Sequence, residues 1–160
     1  EVLPGVLGAL ARLHTGAQPE LQAMLLPLLG KEHPRVQAGA AEALGRVGDV
    51  TVSERLREII ASKCDARVLR AAIVAVGRLE GAAATPYLVD IHVQNAYPGV
   101  VQALSEVGDA RAVPEMEKWS KKVTGSNLPP LLAALEAVKR RPAPPDVAST
   151  SDRPAPPTTP

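Results

Sequence analysis

The chain has 160 residues, enough for one domain with a packed core. Its hydrophobic share is 46%, yet aromatics make up 2% and Phe is absent, so Leu, Val, Ala and Ile must fill the core, which argues against stacking platforms for bases. The net charge of +1 gives no general pull toward nucleic acid or membrane, and the lone Cys64 excludes an internal disulfide framework.

In chain order, residues 2–14 read as a helix ending near Thr15-Gly16, with Pro4 in its first turn. The chain opens on Glu1 rather than Met, so it is expected to be a fragment whose first unit lacks its first helix. Residues 19–29 form the next helix, with Leu21, Met24, Leu25 and Leu28 expected inward and Pro27 expected to kink or tighten its last turn. The organising helix runs from Pro34 to Val47. Turning 100° per residue about puts Val36, Ala40, Ala43, Leu44 and Val47 on one face, the apolar stripe of a helix that packs inward. Gly48-Asp49 is expected to stop it through a left-handed glycine. A helix to Ala61 follows, with Ser53 a better N-cap than Thr51 and with Leu56, Ile59 and Ile60 inward. Asp65 caps the helix to Leu79. Thr85-Pro86 opens the next helix, whose pattern holds Leu88, Ile91 and His92, and Tyr97-Pro98-Gly99 opens its partner. Ala110 to Lys122 forms a helix carrying Val113, Met116 and Trp119, broken by Gly125. Leu128-Pro129-Pro130 opens the last helix, to about Arg140. No apolar run approaches the roughly 18 residues of a spanning helix.

The organising stripe repeats. Val68, Ala72, Ala75, Val76 and Leu79 match it, as do Val100, Ala103, Leu104 and Val107, followed by a second Gly-Asp at 108–109. Val6, Ala9, Leu10 and Leu13 match at the start, and Leu131, Ala134, Leu135 and Val138 near the end. The last stripe residues are spaced by 34, 32, 28 and 31. A steady period built from helices alone implies an αα-solenoid. Pro34, Val36, Ala40-Ala41, Ala43-Leu44-Gly45 and Gly48-Asp49, echoed by Asp65, Val68, Ala71-Ala72 and Ala75-Val76-Gly77, resemble HEAT repeats, most closely the short bacterial subtype called PBS-lyase HEAT-like repeats. The resemblance covers about residues 1–140. It departs at Gln37 and Leu69, where the family often has Arg, and at Ser105 and Glu136, where Gly45 has its counterparts. The resemblance implies an all-α fold, a right-handed superhelical solenoid of about four to five helix pairs, with the second helices lining a concave binding face.

The domain boundary is expected at residue 141, leaving 142–160 as a proline-rich tail. Those 19 residues hold seven prolines and almost no large apolar side chain, and RPAPP occurs twice. Such a segment cannot offset its ordering entropy and reads as disordered or polyproline II: a linker, a docking segment for an SH3-like partner, or a strand folded back on the solenoid.

On the wheel, Arg35, Glu42 and Arg46 face away from the core, with Arg67, Val74 and Arg78 equivalent one unit on and Arg12 one unit back. Arg12, Arg46 and Arg78 thus form a ladder flanked by Arg35, Arg67 and Arg70, suited to an acidic or phosphorylated segment because guanidinium makes bidentate contacts to carboxylate and phosphate. The bland reading is a row of solvated arginines. His14, His33 and His92 lack ligand partners at metal spacing, and His33 follows Glu32 in the reverse of the His-Glu order of iron-binding HEAT enzymes. Cys64 lies in a loop with no nearby His, Trp119 fits packing, no glycine-rich phosphate loop is present, and no Ser-His-Asp grouping is visible. No catalytic residue, cofactor or metal is therefore expected. The reading is a non-enzymatic, cytoplasmic scaffold or adaptor that binds another protein, with self-association open to it. The alternatives are a nucleic-acid-binding HEAT-like module, or an accessory unit of a bilin-lyase-like enzyme.

Overall fold

The computed structural model describes residues 18–31, 33–62, 64–91 and 97–144. The expected helix at 2–14, with Arg12 and His14, lies outside them, as do His92 and most of the tail. The described residues form α1 (Pro19–Leu25), α2 (Pro34–Val47), α3 (Ser53–Ala61), α4 (Ala66–Glu80), α5 (Thr85–Asp90), α6 (Tyr97–Val107), α7 (Val113–Ser120) and α8 (Leu128–Lys139), joined by short 3-10 turns. No strand occurs among them. Even-numbered helices stack on one another as an inner row, and odd-numbered helices pack outside them.

Proline sets several boundaries. Pro19, Pro34, Pro86, Pro114 and Pro129 each stand in a first turn, where a missing N–H costs nothing. Pro27 acts as anticipated: α1 stops at Leu25 and the chain tightens into a 3-10 turn, Leu26–Gly30. The inward assignment of Met24 fails: it lies in α1 ahead of that turn and is 71% exposed, while Leu25 and Leu29 are buried and Leu21 and Leu28 pack half-buried against the core.

The corners between units repeat one construction. The Gly48 N–H donates to the Leu44 carbonyl at 2.8 Å, and the Gly108 N–H donates to the Leu104 carbonyl at the same distance. The following aspartate caps the next 3-10 turn: Asp49 Oδ1 accepts from the Thr51 N–H at 2.9 Å and Asp109 Oδ1 from the Arg111 N–H at 3.0 Å. Two expectations fail here. Gly48 is not left-handed; its φ is −78° and ψ 172°. Glycine is needed for room instead, since a Cβ would sit 2.5 Å from the Leu44 carbonyl oxygen. Nor is Ser53 a cap. The capping oxygen comes from Asp49, four residues earlier, because a 3-10 turn precedes α3, and Ser53 is its buried first residue. Asp65 does cap α4, accepting from the Arg67 N–H at 2.9 Å. Left-handed glycines stand elsewhere, at Gly81 and Gly125, with φ of 59° and 70°.

The core follows the predicted stripe. Ala40, Leu44, Val68, Ala72, Val76, Leu104, Leu131, Ala134 and Val138 have no exposed surface. Each fully buried Leu or Val contributes about 1.5–3 kcal/mol relative to exposure. Helix α4 lies between α2 and α6 and against α3, so its buried set is broader than the stripe and includes Leu69, Ile73 and Val74. Val74, placed outward by its equivalence to Glu42, is only 6% exposed because helices flank α4 on three sides. The inner row meets along a seam of small residues. A Cβ on Gly45 of α2 would lie 2.7 Å from the Ala75 Cα of α4; one on Gly77 of α4 would lie 3.2 Å from the Ala103 Cβ of α6. Trp119 is half-buried against the core, its ring edge-on to Tyr97 at 6.2 Å between centroids.

The end of the described chain is tied down. Arg141 donates to the Ser105 carbonyl at 2.7 Å and the Gly108 carbonyl at 3.1 Å, satisfying orphan acceptors at the C-terminus of α6. Its own carbonyl accepts from the Ala110 N–H at 3.1 Å.

Candidate functional site

The inner row exposes a groove along α2, α4 and α6. Its first half is a concavity of about 520 Å³ lined by Arg35, Ala38, Gly39 and Glu42 of α2, by Arg67, Arg70, Ala71, Val74 and Arg78 of α4, and by Gln102 of α6. The floor is small because the side chains beneath it are Ala and Gly, and the walls are arginine because the outward positions of successive units coincide. The second half, about 450 Å³, shares Arg70 and Gln102 and continues over Tyr97, Pro98, Val101, Ser105 and Glu106 of α6 to Asn127, Pro130 and Ala133 beside and on α8. Its walls are largely apolar.

Four of the six arginines singled out in the sequence therefore meet in one concavity: Arg35, Arg67, Arg70 and Arg78. Arg46 does not line it. Its Nη2 lies 3.6 Å from Glu42, one helical turn back, and its Nε is buried without a partner among the described residues. Arg12 lies outside the described residues.

The four groove arginines differ in how they are engaged. Arg78 is held by Glu106 in a two-pronged contact, Nε to Oε2 at 2.7 Å and Nη2 to Oε1 at 3.0 Å. Burial pushes the Glu106 carboxyl up, but hydrogen bonds from Arg78 and Gln102 outweigh it and hold the group below its ordinary range. Glu106 is thus an internal stand-in for an acidic ligand. Among the described residues Arg70 meets only the neutral amide of Gln102, at 2.9 and 3.2 Å. Arg67 has a single 3.7 Å approach to the Asp65 carboxylate, with its side chain 65% exposed. Arg35 has no hydrogen-bond or ion-pair partner among the described residues. Three guanidinium groups with unsatisfied donors consequently face one small-floored space. The sequence did not single out Gln102, Tyr97 or Pro130; their signal was the same outward register, one and two units further on.

Elsewhere the chemistry is structural. Arg57 bonds Glu80 at 2.6 Å and lies 4.1 Å from the Tyr87 ring centroid. Arg111 clamps buried Asp109 and donates to the Ala82 carbonyl at 2.7 Å. Cys64 is half-buried, and burial raises its thiol above the ordinary range, which disfavours the thiolate. His33 is exposed at the start of α2 and caps nothing with its side chain. Among the described residues no three His, Cys, Asp or Glu side chains converge as a metal site, and no helix is long and apolar enough to cross a membrane.

Helix pairs that stack their second members into a grooved inner row define a helical-repeat protein. The sequence profile described as HEAT repeats matches residues 5–77 and again 23–98, and the chain belongs to that family. Among curated proteins, none matches it.

Proposed function

We propose that this chain is a non-enzymatic interaction module that holds an acidic segment of another protein in the groove of its inner helix row. The single observation that supports this most is the set of Arg35, Arg67 and Arg70 in one concavity, with no carboxylate closing on Arg35 or Arg70 among the described residues. HEAT repeats serve generally as protein-interaction scaffolds, in keeping with that reading. A row of exposed ion pairs is worth only about 0–1 kcal/mol each; three arginines acting on one ligand inside a concavity give more, because desolvation and bidentate geometry strengthen each contact. We further place the chain nearest the short PBS-lyase HEAT-like subtype, as a right-handed superhelix with a proline-rich tail after residue 141, working without a cofactor in the cytoplasm. A nucleic-acid reading gains less support, since the net charge is +1 and aromatics that could stack bases make up 2% of the chain.

Affinity capture from the source lysate tests the reading, with three baits: the full chain, Arg35→Glu with Arg70→Glu, and Arg55→Glu on the outer helix α3. A protein kept by the first and third baits and lost by the second is the expected result. A partner kept equally by all three would move the site off the groove. Filter binding of single-stranded RNA at low salt should stay flat; saturable binding would favour the nucleic-acid alternative.

A further inference from the structure

The two halves of the groove differ in character, and the difference specifies a ligand. This inference rests on the acidic-segment reading above. In the first half, the charge of Arg78 is met by Glu106 within the protein, while Arg35, Arg67 and Arg70 keep most of their donors free toward the concavity. A carboxylate offers two oxygens and saturates one guanidinium fork. A phosphate monoester carries close to two charges and three acceptor oxygens, which suits three guanidinium groups with donors to spare lining one concavity over Ala38, Gly39 and Ala71, while Glu42 of the same concavity is paired with Arg46. The second half offers Tyr97, Val101, Pro130 and Ala133, with no arginine beyond the shared Arg70. It suits an apolar side chain.

We infer that the groove reads a phosphorylated peptide in two parts: the phosphate at Arg35, Arg67 and Arg70, and an apolar residue a fixed distance along the chain at Tyr97, Val101 and Pro130. The spacing follows from the helices. The phosphate lies between α2 and α4 and the apolar place between α6 and α8, with Arg70 and Gln102 common to both concavities. Neighbouring helix axes stand about 8–10 Å apart, and an extended chain advances about 3.3 Å per residue. Two helix spacings separate the places, about 16–20 Å, so the apolar residue should sit about five to six residues from the phosphorylated one.

Fluorescence anisotropy with labelled synthetic peptides and the full chain tests this. The probes share a Gly/Ser background with a central phosphoserine and a leucine about five or six residues to one side or the other. Matched probes replace the phosphoserine by serine, replace it by aspartate, or replace the leucine by glycine. Phosphoserine should bind at least about tenfold tighter than serine or aspartate, and one of the two leucine placements should bind tighter than its glycine control. Arg70→Gln should remove the preference for phosphate, and Ala133→Gln, an uncharged helix former at an exposed position, should remove the preference for leucine alone. Melting curves of both variants should match the parent, since neither side chain is in the core. Equal binding of phosphoserine and aspartate probes would overturn the phosphate assignment while leaving an acidic-segment groove intact. Indifference to leucine would overturn the second part. Binding of no probe would overturn both this inference and the reading beneath it.

Discussion

The seam between inner helices makes a quantitative prediction through three glycine-to-alanine changes. In Gly45→Ala the new methyl would sit 2.7 Å from the Ala75 Cα and 2.8 Å from its Cβ, against ordinary carbon contacts of about 3.5–4.0 Å. The first obstacle is backbone and cannot rotate away, so α2 and α4 must separate. Overpacking of this kind costs about 1–3 kcal/mol, and rigid neighbours put it at the upper end. Alanine also returns about 1 kcal/mol of helix propensity. The net expectation is a loss of about 2 kcal/mol, or about 4–8 °C in Tm for a chain of this size. Gly77→Ala gains the same propensity, but its methyl meets the Ala103 Cβ at 3.2 Å and the Val107 Cγ2 at 3.3 Å, which can give by a few tenths. It should stay within about 1 kcal/mol of the parent. Gly30→Ala meets nothing within 4 Å and should be neutral or slightly stabilising. Urea unfolding followed by far-ultraviolet circular dichroism ranks the three. Equal midpoints for Gly45→Ala and Gly77→Ala would refute the seam, because helix propensity treats the two alike.

Other expectations use other parts of the molecule. Leu44→Ala should cost about 2–5 kcal/mol because the side chain is fully buried, while Met24→Ala, at 71% exposure, should leave the urea midpoint almost unmoved. Asp109 is held below the usual carboxylate range chiefly by the hydrogen bond from Arg111, against the effect of burial. A carboxyl depressed on folding contributes stability above its unfolded value and loses it as pH falls through the folded one. The parent should therefore weaken as pH drops below about 4, and Asp109→Asn should be less stable at neutral pH with a shallower acid limb in thermal melts. Arg141→Ala leaves carbonyls of Ser105 and Gly108 without their donor and should lower the melting point by the equivalent of about 1–3 kcal/mol, whereas Arg140→Ala, exposed one residue earlier, should change little.

Much of this was legible in the residues, for identifiable reasons. The stripe through Ala40, Leu44 and Val47 recurs because every unit buries the same face, so the period and the inner helices could be read directly. What escaped were local turns. Gln18, Asp49 and Gln22 show why: the Gln18 N–H donates to the Val47 carbonyl at 2.7 Å and the Asp49 N–H to Gln22 Oε1 at 2.9 Å, contacts between α1 and the end of α2 that no window along one helix reveals. The 3-10 stretches before α3, α5 and α7 shift the caps by several residues, which is how Ser53 was mistaken for one. The groove was legible as a row of outward arginines. Its division of labour was not, because Glu106 comes from 28 residues beyond Arg78, and only the packing of α4 on α6 brings them together. Arg46 instead turns to Glu42 on its own helix, and Val74 lines the groove.

The small-residue seam has a mechanical consequence. Where Gly45 meets Ala75 and Gly77 meets Ala103, adjacent inner helices are already in contact through backbone and methyl groups, so they can neither approach further nor slide without collision. The outer helices are shorter and touch chiefly their own inner partners. When such a stack bends toward its groove, the inner row behaves like the incompressible side of a leaf spring and the outer row takes up the strain. The pitch between Arg35 and Arg67 then cannot shorten as the curvature tightens. The groove would act as a ruler laid along its ligand rather than as a jaw closing on it, selecting by the interval between two features of a segment and tolerating a wide choice of residues in between.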